Sequence, residues 1–202
     1  MAAGPPVVLT IGHSTHALEV FAALLRRHGV TALADVRSAP YSRFNPQFNR
    51  KALDAALTAR GIAYMFLGHA LGGRPDDASC YEDGRVRYDR LARTRLYREG
   101  LERVIESAGD ERIALMCAEK EPLDCHRTIL IGRSLAERGV AVAHILADGT
   151  LEPHDDTMDR LLASMTPAGQ DLFRSREEQI EEALARRENR IAHRIKTPRA
   201  RR

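Results

Sequence analysis

Apolar positions along the chain switch repeatedly between two spacings. Val7 to Ile11 is a short, β-branched run, and Leu18 to Leu25 repeats its apolar positions at helical spacing until His28 and Gly29 stop it. The chain therefore opens strand then helix. Val30 to Val36 resumes a strand, a Pro- and Asn-rich stretch follows, and a helix over Asn49 to Arg60 ends at Gly61 before a strand over Ile62 to Leu67. Residues 68 to 88 are rich in Gly, Asp and Arg without periodicity and read as a long loop or flap. The pattern then returns: a helix over Arg90 to Ala108, a buried strand over Ile113 to Met116, a helix carrying Leu130, Ile131 and Leu135 up to Gly139, and a fifth strand over Val140 to Leu146. Asp148 to His154 reads as a turn leading to a short helix over Met158 to Met165.

This alternation predicts an α/β fold: a largely parallel sheet of about five strands, helices on both faces and right-handed crossovers. A last helix, Gln170 to Leu184, carries only Phe173, Ile180 and Leu184 as an apolar stripe among charges, so the fold gains a C-terminal helical extension. Residues 1–166 are expected to form a single α/β domain, and 167–202 a charged helical extension with a basic, flexible end.

Composition sharpens this in two places. The 202-residue chain has a net charge of only +3, but residues 186–202 hold eight Lys or Arg against the single acid Glu188, a local +7 that leaves −4 for the remainder. Such a tail is suited to nucleic acid or another polyanion, and equally to a solvated terminus. Three cysteines without a leading apolar segment predict a reducing, cytoplasmic setting, and the absence of any apolar run of about eighteen residues predicts no membrane span. Nothing in the pattern sets an oligomeric state.

Candidate chemistry concentrates between Ala114 and Gly139, where one strand-to-helix turn carries two thiols, a histidine, an arginine and carboxylates. Pro122 ends the strand ladder, and Asp124 is expected to cap the helix and leave Cys125, His126 and Arg127 in its first turn. A helix start favours an anion, Arg127 adds a fork of donors, and the same field favours a thiolate at Cys125, whereas Cys117 at the strand end needs help from His126 or Lys120. In a parallel sheet the loops after the strands share one edge. The Gly12-His13-Ser14 turn, Asp35-Val36-Arg37-Ser38, Gly68 to Arg74 and the cysteine segment are therefore expected to meet there. Cys117, Glu119, Cys125 and His126 are the candidate catalytic groups; His13, Ser14, Asp35, Arg37, Ser38, Ser42, Gly72, Lys120 and Arg127 are the candidate ligand-binding groups, with Asp35 orienting Arg37.

TIGHST (Thr10 to Thr15), DVRSAPYSRFNPQFN (Asp35 to Asn49), LGG (Leu71 to Gly73) and CAEKEPLDCHR (Cys117 to Arg127) resemble the domain of unknown function 488 family, over roughly residues 7 to 160. The resemblance implies a compact α/β domain and names no reaction. A fainter likeness is to rhodanese-type sulfur transferases, in which a strand ends in Asp-x-Arg and a reactive cysteine opens an anion cradle. Here ten positions separate Cys117 from Arg127, too many for a tight cradle, so the likeness is an analogy.

Three functions compete. The first is an enzyme that uses a thiolate, Cys125 or Cys117, on a phosphorylated, nucleotide or sulfur-bearing substrate held by Arg37 and Arg127, with Glu119 or His126 moving the proton. The second is a non-catalytic protein that reads a nucleotide or nucleic acid with the same edge and the basic tail. The third is a Cys/His metal protein. No cofactor is expected, zinc on Cys117, Cys125, His126 and His13 being the alternative that this third reading keeps open; against it, the seven-residue gap between Cys117 and Cys125 is not structural-zinc spacing, and adjacent Cys125 and His126 on one helix point about 100° apart.

Overall fold

The computed structural model describes residues 7–165 and 174–195. In chain order the elements are β1 (Val7–Gly12), α1 (Leu18–Arg27), β2 (Ala32–Asp35), α2 (Arg50–Thr58), β3 (Ala63–Phe66), α3 (Gly68–Leu71), β4 (Tyr81–Glu82), β5 (Arg85–Val86), α4 (Tyr88–Ala92), α5 (Arg95–Asp110), β6 (Ile113–Cys117), α6 (Arg133–Ala136), β7 (Ala141–Ile145), β8 (Leu151–Pro153), α7 (His154–Met165) and α8 (Arg176–Ile191). Six strands form one sheet in the order β3-β2-β6-β1-β7-β8. The first five in that order run parallel, and β8 is antiparallel to β7 at the edge.

The α/β fold with helices on both faces is the one the periodicity predicts. Phe21 and Leu25 of α1, with Leu53 and Leu57 of α2, pack on one face with Leu9, Leu33 and Met116; Leu101 and Val104 of α5 and Leu161 of α7 pack on the other with Val8, Ala34 and Leu115. Alternate residues of each strand supply the two faces, as a doubly covered sheet requires.

Local departures have local causes. The sixth strand, Leu-Glu-Pro, is too short and too polar to separate from a turn by pattern. The aperiodic stretch 68–88 contains a turn of helix and the β4-β5 hairpin, joined across Asp83 and Gly84, both with positive φ. The single long helix expected over Arg90 to Ala108 is two, because Thr94 is extended and its Oγ1 accepts from the Tyr97 amide at 3.2 Å, capping a new start. The last helix continues past its expected end at Leu184 as far as Ile191, and starts at a Ser175/Glu178 capping box; the expected start at Gln170 and the basic end at 196–202 lie outside the described residues. Among the described residues no helix is long and apolar enough to cross a membrane.

Register places the chemistry. Gly12 pairs with Cys117, and Asp35 with Met116, so β1, β6 and β2 finish level with one another at the centre of the sheet. The segments after them continue side by side: the amides of His13 and Ser14 donate to the carbonyls of Cys117 and Ala118 at 2.9 and 3.0 Å, and the amide of Val36 donates to the Met116 carbonyl at 3.0 Å.

Candidate active site

Beyond Cys117 the chain makes a short 3-10 turn, Pro122–Asp124, started by Glu121 Oε1 accepting from the Leu123 amide at 3.1 Å. Cys125 is then extended, with φ −135° and ψ 140°, and a wide π-helical winding over Arg127–Gly132 runs into α6. Asp124 is therefore not the cap expected of it. It turns outward to Arg187 and Arg190 of α8, each at 3.2 Å, while the Cys125 sulfur accepts from the Arg127 amide at 3.5 Å. Cys125 stands before the helix rather than in its first turn. π-windings are rare, and those that occur are frequently at functional sites.

Arg127 is fully buried, and its guanidinium donates to the carbonyls of Glu119 at 2.7 Å and Lys120 at 3.2 Å. Those bonds fold the loop back over the strand end. Gly12 allows the approach: a Cβ there would stand 1.8 Å from the Glu119 oxygen. The structure thus places Arg127 beneath the loop, holding backbone.

The folded-back loop brings four candidate groups together. The sulfurs of Cys117 and Cys125 lie 3.7 and 3.8 Å from His126 Nδ1, and Cys125 Sγ lies 3.0 Å from Glu119 Oε2. Both cysteines are buried, and Glu119, exposed along its length, turns its carboxyl end inward. His126 Nε2 donates to the Val36 carbonyl at 3.1 Å, which leaves Nδ1 facing the sulfurs. The hydrogen bond between the thiols, and then burial, push Cys117 well above the ordinary thiol range. Burial works the same way on Cys125, but its bond to Cys117 and the charges of Arg127 and His126 outweigh it and hold Cys125 well below. Burial lowers His126, yet the bond to Cys125 and that thiolate's charge raise it overall; burial, then the same charge, raises Glu119. The expectation that Cys125 and His126 diverge by about 100° fails, because that angle belongs to helix and Cys125 is extended. Cys117, Cys125 and His126 offer donor atoms all within 4.8 Å of one another and, among the described residues, are the group able to hold a metal ion.

Asp35 and Arg37 build the adjoining wall. Asp35 is fully buried and grips Arg37 through Oδ1 to Nε at 2.9 Å and Oδ2 to Nη2 at 2.6 Å, while the Tyr64 hydroxyl donates to Oδ2 at 2.7 Å. Arg37 Nη1 donates to His13 Nε2 at 3.2 Å, and His13 Nδ1 donates to the Ser14 carbonyl at 2.8 Å. His13 stacks on Phe48 at 4.3 Å, and burial lowers its pKa to about 4. Two more buried histidines, His144 and His154, hydrogen bonded at 3.1 Å, are lowered as well, both chiefly by burial. Above the unfolded value near 6.5 these three histidines are neutral in both states and their contribution is flat. As pH falls from about 6.5 to about 4 the unfolded chain takes up protons that the folded chain refuses, so His13 alone costs roughly 3 kcal/mol over that window. Urea denaturation at pH 7.0 and 4.5 is expected to show the loss, and His13→Gln a smaller one; equal pH sensitivity in both proteins excludes His13 as its source.

A cleft of about 310 Å³ opens above the sulfurs, lined by Cys117, Glu119, His126, Arg37, Ser38 and Tyr41 together with Arg74, Tyr88, Ile191 and His193. A second concavity of about 410 Å³ shares Arg37, Ala39, Tyr41 and Ala118 with it and takes in His13, Ser14 and Ser42. Cys125 and Arg127 line neither. Ser38 Oγ accepts from the Arg74 amide at 3.0 Å, and Ser42 Oγ from the amides of Phe44 and Asn45 at 3.2 and 3.1 Å, so both shape loops. Gly72 packs against the Gly68 carbonyl and Ser38, where a Cβ would come within 2.4 Å of both. The exposed Lys120 offers its carbonyl to Arg127. Sequence reasoning missed Arg74, Tyr41, Tyr88 and His193. Tyr41 and Arg74 stand inside or beside quoted motifs, but nothing local marks His193, which reaches the cleft because the His193 carbonyl accepts from the Val86 amide at 2.9 Å and the Ile195 amide donates to the Gly84 carbonyl at 2.7 Å.

Residues 17–133 match the model of the family described as Domain of unknown function DUF488. The Asp35, Leu71 and Cys117 motifs fall inside the match, and the Thr10 motif before it. No curated protein and no solved structure matches the chain.

Proposed function

This chain belongs to the domain of unknown function 488 family, and on that premise we propose that the cleft is the active site of an enzyme acting through a cysteine thiolate on a small anionic molecule. The observation that carries the reading is the packing of two thiols, an imidazole and a carboxyl at the floor of a cleft whose walls present Arg37, Arg74 and His193. Paired buried thiols in a core need no such company.

Within this reading Cys117 is the attacking sulfur, because it faces the cleft, and Cys125 stands behind it against Glu119 and His126. The proton that Cys117 gives up passes to His126 Nδ1, 3.7 Å from its sulfur, as the electrophile approaches. His126 and Glu119 are then the groups able to receive a proton or pass one to a leaving atom. Arg127 is a positioning residue. The anionic part of the substrate, a phosphate, a nucleotide's phosphates or a sulfur oxyanion, lies against Arg74 and His193 at the rim, since the Arg37 donors are largely taken by Asp35, Phe48 and His13.

Protection of Cys117 tests this. Iodoacetamide labelling, mapped by peptide mass, is expected to slow at Cys117 when pyrophosphate or ATP is added. Arg74→Gln is expected to weaken that protection by about tenfold or more, the worth of one charged hydrogen bond. Labelling that is indifferent to every anion removes the anionic substrate from the reading, and protection without turnover of any phosphorylated compound favours a non-catalytic nucleotide-binding protein.

A further inference from the structure

We infer that Cys117, Cys125 and His126 form a binding site for one soft divalent cation, zinc being the physiological type, with a remaining position that faces the cleft. The sulfur-to-nitrogen distances are close to those of a ligand shell. Zinc binds sulfur at about 2.3 Å and imidazole nitrogen at about 2.0–2.1 Å, so a sulfur and a nitrogen at two corners of its tetrahedron stand roughly 3.5 Å apart. The two sulfurs here lie 3.7 and 3.8 Å from Nδ1, and all three donors lie within 4.8 Å of one another.

The surroundings are also those of a metal site. A ligating histidine is usually oriented by a hydrogen bond from its other ring nitrogen, and His126 Nε2 already donates to the Val36 carbonyl at 3.1 Å, presenting Nδ1 to the sulfurs. The Arg127 amide points at Cys125 Sγ from 3.5 Å, and the buried Arg127 guanidinium lies under the same loop, so the negative charge of two thiolates meets positive charge behind it. Two sulfurs and one imidazole select a soft ion such as zinc over magnesium or calcium, which take oxygen ligands. The seven-residue gap between the cysteines is bridged by the 3-10 turn and the extended Cys125, so the sequence spacing is no obstacle. Because Cys117, His126 and Glu119 line the cleft, the fourth position lies on that side. Glu119 Oε2, 3.0 Å from Cys125 Sγ, is near enough to take it or to stand beside a water or substrate atom that does.

The inference rests on the proposed function only for the use of this cleft, and it goes beyond it: with a cation bound, both sulfurs are deprotonated ligands shielded from reagents, and the open position of the ion is what meets a molecule in the cleft. Loading releases the protons of the free thiols and imidazole to solvent.

The test uses full-length, untagged, reduced protein stripped with a chelator, to which cobalt(II) is added as the spectroscopic probe and then zinc as competitor. One cobalt per chain is expected, with thiolate-to-cobalt charge transfer in the near ultraviolet and the strong visible bands of a tetrahedral ion, all displaced by one zinc. Cys117→Ser is expected to weaken zinc by more than the roughly 10–100-fold that loss of an outer partner costs. In the wild type, which needs no variant to fold, zinc is expected to block alkylation of Cys117 and Cys125 together. Pale octahedral cobalt, or zinc that leaves both thiols open to alkylation, overturns the inference. Fast, anion-protected alkylation of Cys117 in protein that binds no cobalt leaves the proposed function standing and removes the metal. Tetrahedral cobalt whose spectrum and thiols ignore pyrophosphate and ATP keeps the metal and removes the anionic substrate.

Discussion

Gly12→Ala is expected to destabilise the protein by about 3–5 kcal/mol, combining the cost of overpacking with the loss of a charged hydrogen bond. A Cβ at this position stands 1.8 Å from the carbonyl oxygen of Glu119, 2.9 Å from its carbon and 3.2 Å from Arg127 Nη2. Backbone cannot swing aside as a flexible side chain can. The loop must lift, and the oxygen that it carries away is the one Arg127 Nη1 holds at 2.7 Å. In a chain of this size the melting temperature is expected to fall by roughly 10 °C or more. Gly109→Ala makes the control, since nothing lies within 4 Å of a Cβ there and the residue sits in α5, where alanine is the better helix former. Equal melting temperatures for Gly12→Ala and Gly109→Ala exclude the close approach of the loop to β1.

Asp35→Ala is the second large effect, expected at about 3–5 kcal/mol because a buried guanidinium loses its counter-charge. Arg37 is only 5% exposed and has nowhere to take its charge, and Tyr64 loses its acceptor in the same stroke. The double variant Asp35→Ala/Arg37→Met is expected to be more stable than Asp35→Ala alone, because removing both charges ends the desolvation cost of the cation while methionine refills the space. Urea titration of the three proteins decides it. A double variant less stable than Asp35→Ala shows that Arg37 stabilises the fold through other contacts, such as its bond to the Phe48 carbonyl at 2.8 Å.

These residues also show how far the chain could be read before its structure. Runs such as Val7 to Ile11 and Ile113 to Met116 are buried on both sides, so an unbroken apolar stretch marks them as interior strands, and their alternation with helices is enough for the fold class. Strand order is another matter. That β6 inserts between β1 and β2 is a pairing across about a hundred residues, which no local pattern encodes, and it is this insertion that sets Cys117 between His13 and Arg37. The cysteine segment itself was legible as a concentration of reactive types, and its convergence with the His13 and Asp35 loops follows from parallel strands sharing an edge. Its internal geometry was not. Arg127 reads as an anion fork at a helix start, yet the loop folds over it and takes its donors for backbone; Asp124 reads as a cap, yet α8 draws it outward. In both, the partner comes from a segment whose position depends on the completed fold. His193 is the extreme instance, brought to the rim by pairing with the β4-β5 hairpin.

The most direct test of the account is the alkylation rate of Cys117 in metal-free protein, compared with those of Cys125 and Cys80 in the same chain. All three thiols are buried, and Cys117 lines the cleft. A Cys117 alkylated at least about tenfold faster than Cys125 and Cys80, and slowed in His126→Gln, is the result expected of a cleft-facing sulfur whose proton passes to His126. A Cys117 as slow as Cys125 and Cys80, and unaffected by His126→Gln, contradicts the account, and leaves two buried thiols that only fill the floor of the cleft.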